Sequence, residues 1–219
     1  MDLLIFDLDG TLIDSKLDLV HSVNAARAHM DLPPLEPDVI SSYVGNGAPM
    51  LIRRALGPGA TEEQIEEALR FFLQYYSDHK LDYTDLYPGV RGTLDQLHHE
   101  GVKLAVLTNK PVRISQAIID GLNLTDHFFR VYGGNSFGEK KPHPVGIHTL
   151  LDESGVERSR ALMVGDSAVD VKTARNAGIQ AAGVTYGFQP ETLIAEPPDI
   201  LVDRMEDLGT RVLEMRARE

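Results

Sequence analysis

The sequence predicts an α/β fold: a doubly wound parallel sheet with a Rossmann-like core, interrupted after its first strand by a helical insert. Three observations predict it. The chain opens on a continuous apolar run, Leu3 to Phe6, bounded by a turn signal and too short for a helix. From Pro88 onward, apolar runs alternate with helical patterns at the spacing of βα units. Between the two lies a stretch, residues 15–84, with helical periodicity and no strand signal.

Each element follows from its pattern. Over 16–31, Leu19, Val20, Val23, Ala26 and Met30 recur at helical spacing, and "PPLEPD" (33–38) breaks the helix. Short helices are expected around 37–44 and 48–56. "TEEQ" (61–64) has the form of a capping box, and the helix it opens stacks Ile65, Ala68, Leu69, Phe72, Leu73 and Tyr76 on one stripe. No strand is expected from there until after residue 100. A helix at 89–100 precedes "VKLAVLT" (102–108), and one at 112–122 precedes "FFRVYGG" (128–134). Helices at 145–154 and 168–177 precede "ALMVGD" (161–166) and "IQAAGVTYG" (179–187). A short strand, "DILV" (199–202), leads to the last helix. The expected division is a core domain of 1–14 and 85–219 and a helical domain of 15–84.

Composition bounds the function. With 219 residues, 42% of them apolar and 25% charged, the chain reads as an ordinary globular protein. No apolar stretch approaches the roughly 20 residues of a membrane span, and no Lys/Arg-led signal peptide precedes the first strand. The absence of cysteine excludes disulfides, zinc thiolate sites and thiol catalysis, and fits a cytoplasmic protein. Lys and Arg total 21 against 33 acids, a net charge of −12, so neither nucleic acid nor membrane is an expected partner. An anionic substrate would need a local cluster of cations or a metal. A monomer or homodimer is expected.

In open parallel sheets, ligands bind beyond the carboxyl ends of the strands. Asp7 ends the first strand, with Asp9 and Thr11 following at a period of two. The 102–108 strand ends in Thr108-Asn109-Lys110, and the 161–165 strand in Gly165-Asp166-Ser167. "KKPHP" (140–144) holds Lys141 beside Pro142. Each feature alone has a plainer reading: Asp7 and Asp9 as a turn pair with Gly10, Thr108-Asn109 as a helix cap, Lys141 as a surface cation, Asp170 as a first-turn acid. Together, four segments deliver acids, hydroxyl and amide donors, and a cation to one rim. Like charges buried side by side are costly without a cation between them, so this rim calls for a lysine or a metal. Elsewhere the chemistry is thinner. The histidines show no metal-like spacing, and His143 belongs equally to the rim or to a surface loop. Phe71-Phe72 and Tyr75-Tyr76 read as the core of the insert, and Arg53 and Arg54, being adjacent, cannot both face one site.

"DLDGT" (7–11), "LTN" (107–109), "KKPHP" and "GDSAVD" (165–170), in that order, resemble the haloacid dehalogenase superfamily over the whole chain. The helical insert resembles that family's cap domain. "YVGNGAPMLIRRALG" (43–57) and "LTNKP" resemble its phosphoglycolate phosphatases in particular. Departures are small: "GGNS" (133–136) stands where many relatives have an acid, and "PVGI" (144–147) where proline and leucine are common.

The resemblance implies a Mg²⁺-dependent phosphatase for a small phosphorylated metabolite, 2-phosphoglycolate above others. Asp7 would be the nucleophile, and Asp9 would protonate the leaving alkoxide and later deprotonate water. Asp7, the backbone carbonyl of Asp9, and Asp166 would hold the metal. Thr108 and Lys141 would bind phosphoryl oxygens, helped by backbone N–H groups near Gly10 and Asn109. Thr11 fits phosphatases better than mutases, which often carry valine there. Ser167 would support the metal site, and Asp170 would orient Lys141 or metal-bound water. In the cap, Asn46 and Arg53 would meet the leaving group. A phosphosugar mutase or dehalogenase on the same scaffold is the runner-up, and a catalytically silent binding module the alternative of another class. The presence of Asp9 argues against a dehalogenase, and the intact Asp7, Lys141 and Asp166 against a silent module.

Overall fold

All four residues of the opening apolar run are sealed from solvent, with Leu3 and Ile5 in one hydrophobic cluster and Leu4 and Phe6 in the other. That period of two, apolar on both sides, suits a central parallel strand with helices on each face. The computed structural model describes residues 1–217. The chain runs β1 (Leu3–Phe6), β2 (Ile13–Asp14), then helices α1 (Lys16–His29), α2 (Pro37–Tyr43), α3 (Ala48–Leu56) and α4 (Glu62–His79). After β3 (Asp85–Leu86) come α5 (Val90–His99), β4 (Lys103–Leu107), α6 (Val112–Gly121) and β5 (Phe128–Tyr132). Then follow α7 (Val145–Ser154), β6 (Ala161–Gly165), α8 (Ala168–Ala177) and β7 (Gln180–Val184). The chain closes with α9 (Thr192–Ala195), β8 (Ile200–Val202) and α10 (Met205–Ala217).

Six strands form one sheet in the order β5-β4-β1-β6-β7-β8, every neighbouring pair parallel. The chain builds from β1 outward to β4 and β5, then returns past β1 to add β6, β7 and β8. Strand order thus reverses around β1, and the crevice beyond its carboxyl end is where such sheets place ligands. Leu94, Leu97, Ile118, Leu208 and Val212, from α5, α6 and α10, join the cluster on one face. Ile147, Leu150, Val171, Ala174 and Leu193, from α7, α8 and α9, join the other.

Helices α1 to α4 pack on one another between β2 and β3. The α4 capping box forms as the sequence implies: Gln64 N donates to Thr61 Oγ1 at 3.3 Å and Thr61 N to Gln64 Oε1 at 2.9 Å. The expectation of no strand in this region needs correction, because β2 and β3 pair antiparallel where the chain enters and leaves the insert. Strands of two residues carry no readable periodicity. Asp18, 1% exposed, fastens the same junction by accepting from Thr84 N at 2.9 Å and Thr84 Oγ1 at 2.7 Å. The short helix α9, four residues long, likewise has no readable periodicity in the sequence.

Candidate active site

Where β1 ends, the backbone folds into a tight turn in which the N–H groups of Thr11, Leu12 and Ile13 all donate to the carbonyl of Leu8. Asp7 opens this turn. Its Oδ1 accepts from Leu8 N at 2.8 Å and lies 2.9 Å from Lys141 Nζ. Gly10 has φ +79°, and a Cβ there would stand 2.4 Å from Asp166 Oδ2. Only glycine supplies both the left-handed turn and the close approach. Thr11 is fully buried, and its Oγ1 has no hydrogen-bond partner among the described residues.

The exit of β6 supplies the second half. Asp166 Oδ2 accepts from the backbone N–H of Phe188 at 2.7 Å and of Gln189 at 3.3 Å. Ser167 leads into α8, donating through its N and Oγ to Asp170 Oδ2 at 3.2 and 2.8 Å. The other oxygen of Asp170 accepts from Lys141 Nζ at 2.6 Å. Lys141 is therefore clasped between Asp170 and Asp7.

Charge is concentrated here. Asp7, Asp166 and Asp170 are all buried and offer carboxylate oxygens within 4.8 Å of one another. Burial pushes Asp7 up to about 6, with Asp170 adding to the rise and Lys141 opposing it. Burial, then the charges of Asp170 and Asp7, push Asp166 up to about 8. Burial alone would lower Lys141, but Asp170 and Asp7 outweigh it and hold the ammonium above its ordinary value. Three carboxylates against one ammonium leave an excess of negative charge in a dry site. A hard divalent cation held by oxygen ligands fits that donor set.

The β4 exit adds Thr108, 3% exposed, and Asn109. Asn109 Oδ1 accepts from Lys141 N at 3.0 Å, while its Nδ2 donates to Lys141 O at 3.0 Å and to Gly45 O at 2.8 Å. A core side chain thus grips both the Lys141 loop and the insert. Gln189 makes a second grip, with its Nε2 donating to Val44 O at 2.9 Å and Ser42 O at 3.1 Å.

These segments and the insert enclose a cavity of about 650 Å³, part of it open to solvent. Asp7, Asp9, Thr108, Asn109, Lys110, Asp166 and Ser167 line its polar floor, and Gly45, Gly47, Ala48, Leu51, Phe72 and Tyr76 its roof. The structure gathers Asp7, Asp9, Thr108, Asn109, Asp166 and Ser167 at the cavity, with Gly10, Thr11, Lys141 and Asp170 packed behind or beside them. It does not bring Asn46 or Arg53 to the cavity wall. Arg53 instead forms a two-pronged bond to Glu62, at 2.6 and 2.5 Å, on an exposed helix face. The acidic start of α4 places the Glu62 carboxylate directly beside the guanidinium. His143 is exposed, on the surface loop.

Three residues of the site were not assigned from the sequence. Lys110 follows Thr108-Asn109 with no local signal to set it beside Lys141. Tyr76 looks like one more member of the α4 stripe, although its hydroxyl reaches the site. Gln189 lies in a loop after β7 with no local signal at all.

The parallel sheet, its reversal at β1 and the acids and lysines gathered at its carboxyl edge define an α/β enzyme with a carboxylate-rich candidate site. The chain belongs to the haloacid dehalogenase-like hydrolases, whose family pattern it matches over residues 4–184. It is 39% identical over 213 residues to Phosphoglycolate phosphatase 1 of Pseudomonas aeruginosa, spanning 94% of this chain and 78% of that one. It is 38% identical to the phosphoglycolate phosphatase of Vibrio parahaemolyticus, spanning 94% of this chain and 93% of that one. A crystal structure of a predicted phosphoglycolate phosphatase from Haemophilus somnus 129PT superposes with a TM-score of 0.90 at 34% identity, covering 95% of this chain and 96% of that one.

Proposed function

We propose that this hydrolase is a Mg²⁺-dependent phosphatase that cleaves a small phosphomonoester through a phosphorylated Asp7, with 2-phosphoglycolate as its substrate. The observation that carries the reading is the buried set of Asp7, Asp166, Asp170 and Lys141 at the mouth of β1. The relatives named phosphoglycolate phosphatase supply the substrate.

Mg²⁺ held by Asp7, the backbone carbonyl of Asp9, and Asp166 would supply neutralisation of the phosphoryl charge. Asp170 is less suited to ligation, since one oxygen is spent on Lys141 and the other on Ser167. An Asp7 oxygen forms the bond to phosphorus while the bond from phosphorus to the leaving oxygen breaks. Asp9 gives that oxygen its proton. Water then attacks the phosphorus, losing a proton to Asp9, and the bond to Asp7 breaks to release phosphate. Thr108 and Lys141 hold the phosphoryl oxygens throughout, in a reaction governed by positioning and charge.

Residues 15–84 act in this reading as a cap that encloses the leaving group and excludes water. Glycolate carries a carboxylate, and Arg53 is turned away. The α3 N-terminus at Gly47 and Ala48, which lines the roof, is the local donor left for it. A panel of phosphomonoesters assayed with Mg²⁺ tests the assignment. The expected result is a kcat/KM for 2-phosphoglycolate well above that for hexose phosphates. A preference for a hexose phosphate, or transfer of phosphate to a sugar hydroxyl, overturns it.

A further inference from the structure

Lys110 has no role in the scheme above, yet its side chain is only 4% exposed and it lines the cavity. It donates to both oxygens of Asp9, at 2.8 and 3.0 Å, and to Tyr76 Oη at 2.5 Å. It also stands 4.4 Å from the centroid of the Tyr76 ring. The ammonium of Lys110 is thus shared between the Asp9 carboxylate in the core and the Tyr76 hydroxyl in the insert.

A second donor holds Asp9 as well. Ser15 Oγ donates to Asp9 Oδ1 at 2.5 Å. Lys110 reaches both carboxylate oxygens, and the serine adds a second donor to Oδ1. Tyr76 belongs to α4 and is 1% exposed, so the contact through Lys110 ties the helical insert to Asp9. The chain of contacts runs from α4 through Tyr76 and Lys110 to the Asp9 carboxylate at the cavity floor.

We propose that Lys110 is a positioning residue that holds the Asp9 carboxylate in its working orientation and, through Tyr76, makes that orientation depend on where α4 sits. The proposal rests on the phosphatase reading, in which Asp9 moves the protons. Proton transfer requires hydrogen-bond reach to the reacting oxygen, and a displacement of about 1 Å can cost ~10²-fold in rate. Enclosure of the substrate and readiness of the acid–base group are thereby one event.

The test compares the full-length wild type with Lys110→Met, Lys110→Arg, Tyr76→Phe, Asp9→Asn and the double variant Asp9→Asn/Lys110→Met. Turnover of an alkyl phosphate is followed with Mg²⁺ present. Lys110→Met should lower kcat by ~10²-fold with KM little changed. Lys110→Arg should recover part of that loss, and Tyr76→Phe should lose less than Lys110→Met. The double variant should be no slower than Asp9→Asn alone, because a residue acting through Asp9 has nothing to position once the carboxylate is gone. Losses that multiply in the double variant, or a raised KM at constant kcat, overturn the proposal. If Lys110→Met does not fold, Tyr76→Phe in the Asp9→Asn background gives the same comparison.

A crystal structure of Tyr76→Phe or Lys110→Arg gives a readout independent of turnover. The Asp9 side chain should be displaced or in more than one orientation, and an unmoved, fully ordered Asp9 in both variants overturns the proposal. A wild type inactive on every phosphomonoester would strike the phosphatase reading instead, leaving the crystallographic comparison to decide the place of Lys110.

Discussion

The ammonium of Lys141 lies 2.6 Å from Oδ1 of Asp170, with both side chains 2% exposed. This pair sets the charge balance of the site, because the same ammonium also meets Asp7. Removing one partner of a buried pair costs ~3–5 kcal/mol, since the other charge is left without compensation. Lys141→Met should therefore abolish turnover and lower stability by roughly that amount in urea unfolding. Asp170→Asn keeps the shape but loosens Lys141, and turnover should fall while the fold survives. Unchanged turnover in Asp170→Asn would remove that residue from the site.

Asp7 and Asp9 should separate by kind of defect. Asp7→Asn has no nucleophile and should show no turnover while still binding inorganic phosphate. Asp9→Asn should lose at least ~10²–10⁴-fold, the usual contribution of acid–base catalysis. The loss should be largest for alkyl phosphates, whose leaving oxygen needs a proton, and smallest for a nitrophenyl ester in the first step. Quenched Asp9→Asn protein exposed to the nitrophenyl ester should carry phosphate on Asp7 by mass spectrometry. Normal turnover of alkyl phosphates by this variant would end the mechanism.

Metal dependence should be absolute, with activity lost in EDTA, restored by Mg²⁺, and inhibited by the larger and more loosely coordinated Ca²⁺. Metal-free protein should also become less stable as pH rises. An unfolded aspartate loses its proton near 3.8, whereas burial holds the proton on folded Asp7 up to about 6 and on Asp166 up to about 8. Between these values the folded state binds more protons than the unfolded one, so stability falls with rising pH across that window. Added Mg²⁺ should raise Tm more at about pH 8 than at about pH 5, where protons still occupy the site. Asp166→Asn should flatten the pH slope and blunt the response to Mg²⁺. A Tm in EDTA that does not change between these pH values would contradict the buried acid cluster.

The insert is gripped by side chains of the core, and those grips should matter more than its surface arginine. Gln189→Ala removes the donors to Val44 and Ser42, and should raise KM for every ester while sparing the fold. Arg53→Ala, which breaks only an exposed pair with Glu62, should leave the order of substrate preference unchanged. A change in leaving-group preference in Arg53→Ala would restore it to the site.

The amino-acid sequence by itself determined the architecture and the rim. Alternating βα units dictate a parallel sheet, and acids at Asp7 and Asp166 stand where such strands end, because local periodicity and strand termini are written in neighbouring residues. Local chemistry likewise set the α4 capping box and the turn at Gly10. Only the tertiary structure decided which charges share the site. Lys141 stands out in the sequence and Lys110 does not, yet folding gives Lys141 to Asp7 and Asp170 and Lys110 to Asp9. Tyr76 has the spacing of a core residue, and its hydroxyl reaches Lys110 only because packing brings α4 beside the segment that follows β4. Gln189 approaches the insert across 145 residues of chain, to Val44. Contacts made across such separations depend on how whole elements pack, and no short stretch of sequence carries that information.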